Sequence, residues 1–236
     1  MRDSQVSSLA TDFVASRYLK TRNLVGSEGV GTYGIAILTK FPILDTKTFY
    51  YKKWCGRPRR GVLACKVKAN TTLVWVLVTH LQHDLSGHEQ SSQLEELFRF
   101  LNGFISRQDP VIVLGDFNMP GVGLPGCNDI VRSNEFYDAG SAIYDAGSAI
   151  YGAGSAPLSE GNATFPANCA RLRLDRILLR RCGLVKFETL RQVFFAVASD
   201  HLPIAARVRV PVRAANEVAS RSSQDNTRSI ALPHTR

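Results

Sequence analysis

Short apolar runs that end in polar residues divide most of the chain into predicted strands. The clearest run is Val111–Leu114, in which three of four residues are β-branched, and it is followed by Gly115 and Asp116. Such a run is typical of a strand buried on both faces, and we expect the glycine to end it. The runs Val62–Val67 and Leu73–Val78 predict two further covered strands.

Apolar residues at helical spacing predict two helices that pack on this sheet. One covers Ser4–Tyr18. The other begins near Ser86 and has one apolar face made of Leu94, Leu97, Phe98, Leu101, Phe104 and Ile105. Ser86 and Glu89 are spaced as a capping box for its first turn. Because the order is strand, helix, strand, the flanking strands should be neighbours in a layered α/β sandwich.

The remaining segments are less regular. Gly26, Gly29, Gly31 and Gly34 precede a short predicted strand over Ile35–Leu38. This glycine-rich stretch lacks the Lys-Ser/Thr ending of a phosphate-binding loop, so we interpret it as a surface loop. Two later strands are predicted over Leu172–Leu179 and from Ile204 onward, and the polar chain from 211 to 236 is expected to be a disordered tail.

A short repeat interrupts the second half of the chain. Residues 137–143 and 144–150 are identical copies of Tyr-Asp-Ala-Gly-Ser-Ala-Ile, and a third copy starts at Tyr151 with Gly152 in place of aspartate. A coiled coil is improbable, because every copy contains a glycine and few large apolar residues. We predict an expanded, exposed loop over 137–156, where function is least expected.

Composition fits one globular domain over 1–210 followed by the tail. The chain has 236 residues, of which 44% are hydrophobic, and a formal net charge of +9. The charge favours an anionic partner, although a solvated basic surface explains most of it equally well. Much of it lies in two groups of arginines, Arg57, Arg59 and Arg60, then Arg171, Arg173, Arg176, Arg180 and Arg181.

The cysteines and the absence of long apolar stretches bear on location. Five cysteines without a CxxC spacing argue against a zinc finger or a disulfide scaffold and fit a reducing compartment. We find no signal peptide and no stretch of membrane-spanning length. The expectation is an intracellular monomer, cytoplasmic or nuclear.

Polar residues at the predicted strand ends are the candidate chemistry. His80 follows one strand, and Asp116 and Asn118 follow the next, where an acid beside an amide suits a phosphate site. An Asx turn, in which these side chains bond local backbone, fits Asp116 and Asn118 equally well. Asp175 lies among apolar residues and needs a partner, for which His201 is the natural candidate.

A metal cluster beside His80 is a weaker alternative. The residues that would form it are His80, His83, Asp84, His88 and Glu89. No HExxH motif is present and no two of the histidines have the helical spacing of a zinc protease, so we disfavour a zinc enzyme.

Together with their surroundings, these residues resemble the endonuclease/exonuclease/phosphatase superfamily, which includes pancreatic deoxyribonuclease. The matching motifs are Tyr-Gly-Ile-Ala-Ile-Leu-Thr-Lys-Phe-Pro-Ile from Tyr33, Arg-Gly at Arg60, Thr-His-Leu at Thr79, Gly-Asp-Phe-Asn at Gly115, Arg-Leu-Asp-Arg-Ile-Leu at Arg173 and Ser-Asp-His-Leu-Pro-Ile at Ser199. The resemblance implies a four-layer α/β sandwich of two mixed β-sheets flanked by helices.

The resemblance also implies an activity, namely hydrolysis of a phosphate ester that depends on Mg²⁺, with Mn²⁺ as an alternative. His201, oriented by Asp175, would handle the proton of the attacking water or bind the phosphate. Asp116 would orient or deprotonate the nucleophile and contribute to the metal site with Asp200, while Asn118 would hold a phosphate oxygen. His80 would stabilise the anionic transition state. Nucleic acid, phospholipid headgroups and sugar phosphates are all compatible substrates.

One departure qualifies this expectation. Members of the superfamily begin with a strand that carries an Asn and a second strand that ends in Gln-Glu, whose glutamate binds the metal. This sequence begins at the following helix, and Glu28 is a poor substitute. We therefore expect the domain to lack its first strands. The alternative function is a catalytically impaired relic that binds phosphate-containing ligands or nucleic acid without turnover.

Overall fold

The structure is a computed structural model that describes residues 15–26, 29–52, 59–120, 126–141 and 162–211, with side chains from Gly34 onward. These residues form ten strands and three helices. In chain order they are β1 (Ala15–Gly26), β2 (Gly29–Thr39), β3 (Ile43–Tyr50), β4 (Gly61–Ala69), β5 (Thr72–His80), α1 (His88–Asn102), β6 (Val111–Asp116), α2 (Cys127–Ser133), β7 (Tyr137–Asp138), β8 (Asp175–Arg180), β9 (Gly183–Thr189), α3 (Val193–Ala198) and β10 (Ile204–Arg209).

A mixed six-stranded sheet forms the centre, in the order β3-β4-β5-β6-β8-β7. The strands β5 and β6 are parallel and are joined through α1, whereas the other pairs are antiparallel. The predicted covered strands and their helical connection are therefore confirmed. The register sets His80 opposite Asp116, and Asp116 opposite Asp175, at one end of the sheet.

Both faces of this sheet are covered. In β6, Val111 and Val113 point to the face on which Leu94, Leu97 and Leu101 of α1 pack. The alternate residues Ile112 and Leu114 point to the opposite face, which the hairpins β1–β2 and β9–β10 cover. By the same alternation Asp116 belongs to the second face, so it emerges between the sheet and the hairpins. The predicted sandwich class is confirmed.

The N-terminal prediction differs from the structure. Residues 4–14 of the predicted helix, and Glu28, lie outside the described residues, but Ala15–Tyr18 belong to β1. Gly29, Gly31 and Gly34 of the glycine-rich stretch lie in β2, not in a loop, and β2 pairs with β1 along its whole length. The predicted strand over Ile35–Leu38 is confirmed as the second half of β2. Glycine is disfavoured in strands, but pairing with a neighbour overrides that local preference.

The start of α1 is also different from the predicted capping box. The helix begins at His88, and its N-cap residue is Gly87, which has no side chain to accept a capping hydrogen bond. The carboxylate of Asp84 instead accepts hydrogen bonds from the Glu89 N–H and from the backbone and hydroxyl of Ser86. These bonds lower the pKa of Asp84 to about 2. Ser86 donates to Asp84 and accepts the His88 N–H at 3.4 Å, while Asp84 takes the Glu89 N–H that the predicted capping box assigned to Ser86.

The beginning of the repeat is built into the sheet instead of lying in an exposed loop. Tyr137 and Asp138 form the edge strand β7, and the Ala139 N–H donates to the Ile177 carbonyl, 2.8 Å away. The Tyr137 hydroxyl donates to the Cys182 carbonyl at 2.7 Å. A Cβ on Gly140 would lie 2.6 Å from Nη2 of Arg173, so a larger residue here would displace that guanidinium. Residues 142–156 of the predicted loop lie outside the described residues.

The second arginine group is mostly buried, which fits neither an anion-binding surface nor a solvated one. Arg173, Arg176 and Arg180 are 6%, 2% and 1% exposed. Asp138 pairs with the first two, at 2.7 Å from Arg176 and in direct contact with Arg173. Charge from Arg176 and Arg173 outweighs the effect of burial and holds the pKa of Asp138 below its ordinary value.

Two further sequence expectations concern location and redox state. Within the described part of the chain, no helix is both long and apolar enough to cross a membrane. The four described cysteines, Cys65, Cys127, Cys169 and Cys182, form no disulfide with one another. The predicted tail from 212 onward, and the cysteine at position 55, lie outside the described residues.

Candidate active site

Two His–Asp pairs meet at one end of the six-stranded sheet. His80 ends β5 and Asp116 ends β6, and their Nε2 and Oδ2 atoms are 3.2 Å apart. On the other side of Asp116, Asp175 begins β8 and lies 2.8 Å from Nδ1 of His201. The sequence prediction that His201 partners Asp175 is confirmed. Because three adjacent strands end here, the positions of His80, Asp116 and Asp175 are fixed by backbone pairing.

Asp116 uses both carboxylate oxygens. Its Oδ2 faces His80, and its Oδ1 accepts the Asn118 N–H at 2.8 Å. The bond from the Asn118 N–H is the Asx turn that the sequence offered as an alternative to a phosphate site. Asp116 makes this turn and also faces His80 in the candidate site. Burial alone would raise the pKa of Asp116, but the hydrogen bond and charge of His80, the Asn118 N–H and the charge of His201 outweigh it and lower that pKa.

Asn118 does not extend in the same direction as Asp116. Its φ of 50° lies in the left-handed region, so the chain turns immediately after the strand. The side-chain amide donates to the Leu81 carbonyl at 2.9 Å, and the residue is only 8% exposed. Asn118 therefore fastens the segment after β6 to the segment after β5.

His201 is surrounded by carboxylates. The hydrogen bond that His201 donates to Asp175 raises the pKa of His201, burial opposes this, and the charges of Asp175, Asp116 and Asp200 raise it further. The ring also contacts Phe165, with centroids 5.0 Å apart. Since the Asp175 carboxylate takes Nδ1–H, the Nε2 atom is left for chemistry.

The segment that carries Asp200 and His201 is held by a neighbouring loop. The Asp200 carbonyl accepts the Ala167 N–H at 2.7 Å, and the Leu202 N–H donates to the Thr164 carbonyl at 2.8 Å. The Thr164 hydroxyl also accepts the Asp175 N–H at 3.4 Å. Thr164 was not predicted as a site residue, because nothing in the sequence around it indicates contacts with Leu202 and Asp175. The Asp200 side chain itself is exposed.

Gly115 permits the close approach of β5 and β6 beneath the site. Its φ is 140°, and a Cβ there would overlap the Thr79 carbonyl. We predicted that this glycine ends the strand, and this was wrong, because Asp116 continues the pairing. Its role is to let the backbone of β6 lie against the residue that precedes His80.

The donor set can be compared with the needs of a metal ion. Mg²⁺ takes hard oxygen ligands and is commonly held by one or two carboxylates with water and substrate oxygens. Asp116 and Asp200 both lie near enough to His201 to raise its pKa, and they offer such oxygens. Among the described residues, no three His, Cys, Asp or Glu side chains form a metal-sized cluster. The cluster of His80, His83, Asp84, His88 and Glu89 is therefore not formed.

Comparisons with known proteins agree with this architecture. The sequence profile of the Endonuclease/Exonuclease/phosphatase family matches residues 2–201. A sphingomyelinase C from Bacillus cereus is 29% identical over 114 residues, which are 44% of this chain and 34% of that protein. The matched stretch thus spans about a third of that relative.

Solved structures share the fold at low sequence identity. An endonuclease/exonuclease/phosphatase from Beutenbergia cavernae has a TM-score of 0.64 and 17% identity, covering 88% of this chain and 57% of that one. A mannosyl-6-phosphatase from Bacteroides thetaiotaomicron has a TM-score of 0.61 and 16% identity, covering 86% and 80%. With the profile matching most of its length and the same sandwich in its relatives, this chain belongs to the endonuclease/exonuclease/phosphatase family.

Proposed function

We propose that this protein hydrolyses a phosphoric ester with water at the end of the sheet where the two His–Asp pairs meet. The observation that carries the proposal is the register of β5, β6 and β8, which places His80, Asp116 and Asp175 side by side. His201 then joins Asp175 from the β10 side. Two imidazoles and three carboxylates within one small region are suited to moving protons and binding a phosphate.

His201 is proposed to act on the phosphate or on the attacking water. Asp175 holds its ring by Nδ1, so Nε2 has a fixed direction. The raised pKa keeps more of the imidazole protonated near neutral pH, and an imidazolium donates strongly to an anionic oxygen. This role fits either binding of the ester or stabilisation of charge as it develops.

Asp116 and His80 are proposed to form the other half of the site. The lowered pKa of Asp116 keeps its carboxylate ionised, as a group that orients or deprotonates water must be. His80 holds one of the carboxylate oxygens and can donate to the developing negative charge. Asn118 contributes by fixing the turn behind Asp116 and, in our proposal, by holding a phosphate oxygen.

Mg²⁺ is the proposed cofactor, with Mn²⁺ as a substitute. Asp116 and Asp200 are the described residues proposed to hold it, since both supply carboxylate oxygens at the site. A bound divalent ion would neutralise phosphate charge and lower the pKa of a bound water. The proposal includes both phosphodiester and phosphomonoester substrates, because sphingomyelinase C and a mannosyl-6-phosphatase are both among the similar proteins.

The test is hydrolysis of bis(p-nitrophenyl) phosphate and p-nitrophenyl phosphate by the full chain with Mg²⁺ or Mn²⁺. His201→Ala should lower kcat by about 10²–10⁴-fold, the usual contribution of one proton-transfer group. His88→Ala is the matched control, since His88 is exposed at the start of α1, and it should retain wild-type activity. Chelation with EDTA should abolish turnover, and added Mg²⁺ should restore it.

Three results would reject the proposal. Turnover that survives both EDTA and His201→Ala would show that another site or a contaminant is responsible. Binding of inorganic phosphate without hydrolysis of either ester would favour the impaired relic. Salt-sensitive binding of nucleic acid, unaffected by Asp200→Ala and His201→Ala, would favour a nucleic-acid-binding module.

A further inference from the structure

The two segments that follow β5 and β6 are tied together next to the site. The Leu81 N–H donates to the Asp116 carbonyl at 2.9 Å, and the Asn118 amide donates back to the Leu81 carbonyl at 2.9 Å. His80 and Asp116 are therefore held in register beyond the last strand residues. Neither bond explains what fixes the outer parts of the two segments.

One side chain of α1 reaches both outer parts. Nε2 of Gln90 lies 2.8 Å from the Asp84 carbonyl and 3.1 Å from the Asn118 carbonyl. Asp84 belongs to the segment after β5, and Asn118 to the segment after β6. A primary amide has two N–H donors, so Gln90 can satisfy both carbonyls at once.

Burial makes this arrangement informative. Gln90 is 0% exposed, and its Oε1 atom is buried without a hydrogen-bond partner among the described residues. A buried acceptor without a partner costs stability, whereas methionine would fill similar space without that cost. The amide of Gln90 therefore occupies a position where packing alone would favour an apolar residue.

The Asn118 peptide connects Gln90 to the candidate active site. Gln90 binds the carbonyl of Asn118, while the N–H of the same residue binds Oδ1 of Asp116. The other oxygen of Asp116 faces His80. A rotation of the backbone at Asn118, which is already in the left-handed region, would thus move the carboxylate relative to His80.

We propose that Gln90 is a positioning residue that sets the geometry of the His80–Asp116 pair by joining the Asp84 and Asn118 carbonyls. It touches no substrate, because it is fully buried. Its effect on turnover rests on the proposed hydrolytic function, but its effect on His80 does not. The expected consequence is a change in kcat, since the side chains proposed to bind phosphate are held by other partners: His201 by Asp175, and the Asn118 amide by the Leu81 carbonyl.

The test compares Gln90→Met with Glu96→Met. Glu96 is the matched control because it is also a buried polar residue of α1 that binds a loop, through the Lys52 N–H at 3.0 Å, but that loop follows β3. Gln90→Met should shift the ¹⁵N and ¹H resonances of the His80 ring and leave those of His201 in place. It should lower kcat by about tenfold with KM unchanged, as loss of a supporting residue around a site commonly does. Glu96→Met should leave the His80 resonances and kcat at their wild-type values.

Unchanged His80 resonances in Gln90→Met, or an equal shift in Glu96→Met, would overturn the proposal. Should Gln90→Met fail to fold, hydrogen exchange of the Gln90 side-chain amide in the wild-type chain decides instead. Slow exchange supports the hydrogen bonds from Gln90 to the Asp84 and Asn118 carbonyls, and exchange as fast as that of an exposed glutamine rejects them. A wild-type chain without hydrolytic activity would reject the proposed function only, because the His80 spectra and the exchange rate remain measurable.

Discussion

Asp138 and Asp175 lie on the adjacent strands β7 and β8, but the surroundings of their carboxylates differ. Asp138 contacts two guanidinium groups, and the side chain of its partner Arg176 is 2% exposed. Asp175 contacts one imidazole, and the side chain of that partner, His201, is 23% exposed. The Asp138 side chain and its two arginines are largely shielded from solvent, whereas the imidazole of His201 is more open to solvent and lies beside other acids.

This difference separates a structural role from a chemical one. Both oxygens of Asp138 are engaged by permanent cations, so its charge is fixed and unavailable. His201 can gain or lose a proton near neutral pH, and its Nε2 atom is free to face a substrate. Carboxylates on adjacent strands therefore have different uses because of their partners and their access to water.

The largest expected effect comes from removing Asp138. Asp138→Ala leaves Arg173 and Arg176 buried without their carboxylate, and loss of one partner of a buried ion pair typically costs about 3–5 kcal/mol. Urea denaturation should show this loss of unfolding free energy. Asp129→Ala is the control, since its pair with Arg132 is exposed and should contribute at most about 1 kcal/mol. Equal losses in both variants would contradict the comparison.

Asp175→Asn should give the reverse result. The asparagine fills the same space, so the unfolding free energy should change far less than in Asp138→Ala. Turnover of the phosphate ester should fall by about 10²-fold, because His201 loses the charge that orients it and raises its pKa. Paired measurements of kcat and urea stability would check this. A large stability loss with unchanged kcat would place Asp175 with Asp138.

Acid should remove the stabilising effect of Asp138. Its folded pKa is lowered, so the contribution is complete above the unfolded value of about 4 and is lost as the pH falls through the folded value. The difference in unfolding free energy between wild type and Asp138→Asn should be constant above about pH 5 and decrease below pH 4. Denaturation curves at several pH values would measure it. A difference that increases toward low pH would contradict the assigned sign.

The sequence was sufficient to predict the central strands and the polar residues near their ends, although β6 ends at Asp116 and not before Gly115. Covered strands appear as apolar runs, and a strand, helix, strand order places two of them side by side. His80, Asp116 and Asp175 therefore came together as predicted, since each lies at a strand end. The partner of Asp175 was also predictable, because a carboxylate in an apolar strand needs one.

Other features depend on contacts that local patterns do not encode. Asp138 lies 38 residues from Arg176, and its repeat has the composition of a loop. The arginines at 173, 176 and 180 were interpreted as part of a basic surface, because only the packed fold shows that both faces of β8 are covered. The first half of β2 was missed for a similar reason, since its glycines pair with β1 despite a low intrinsic preference for strands.

The repeat has a consequence for changes in chain length. Tyr137, Asp138, Ala139, Gly140 and Ser141 all make specific contacts in the structure. Since the copies 137–143 and 144–150 are identical, deleting either one yields the same polypeptide. A gene that loses one seven-residue unit would still encode Tyr-Asp-Ala-Gly-Ser directly after Phe136. Loss of one repeat unit from the gene would therefore leave the sequence of the edge strand β7 unchanged.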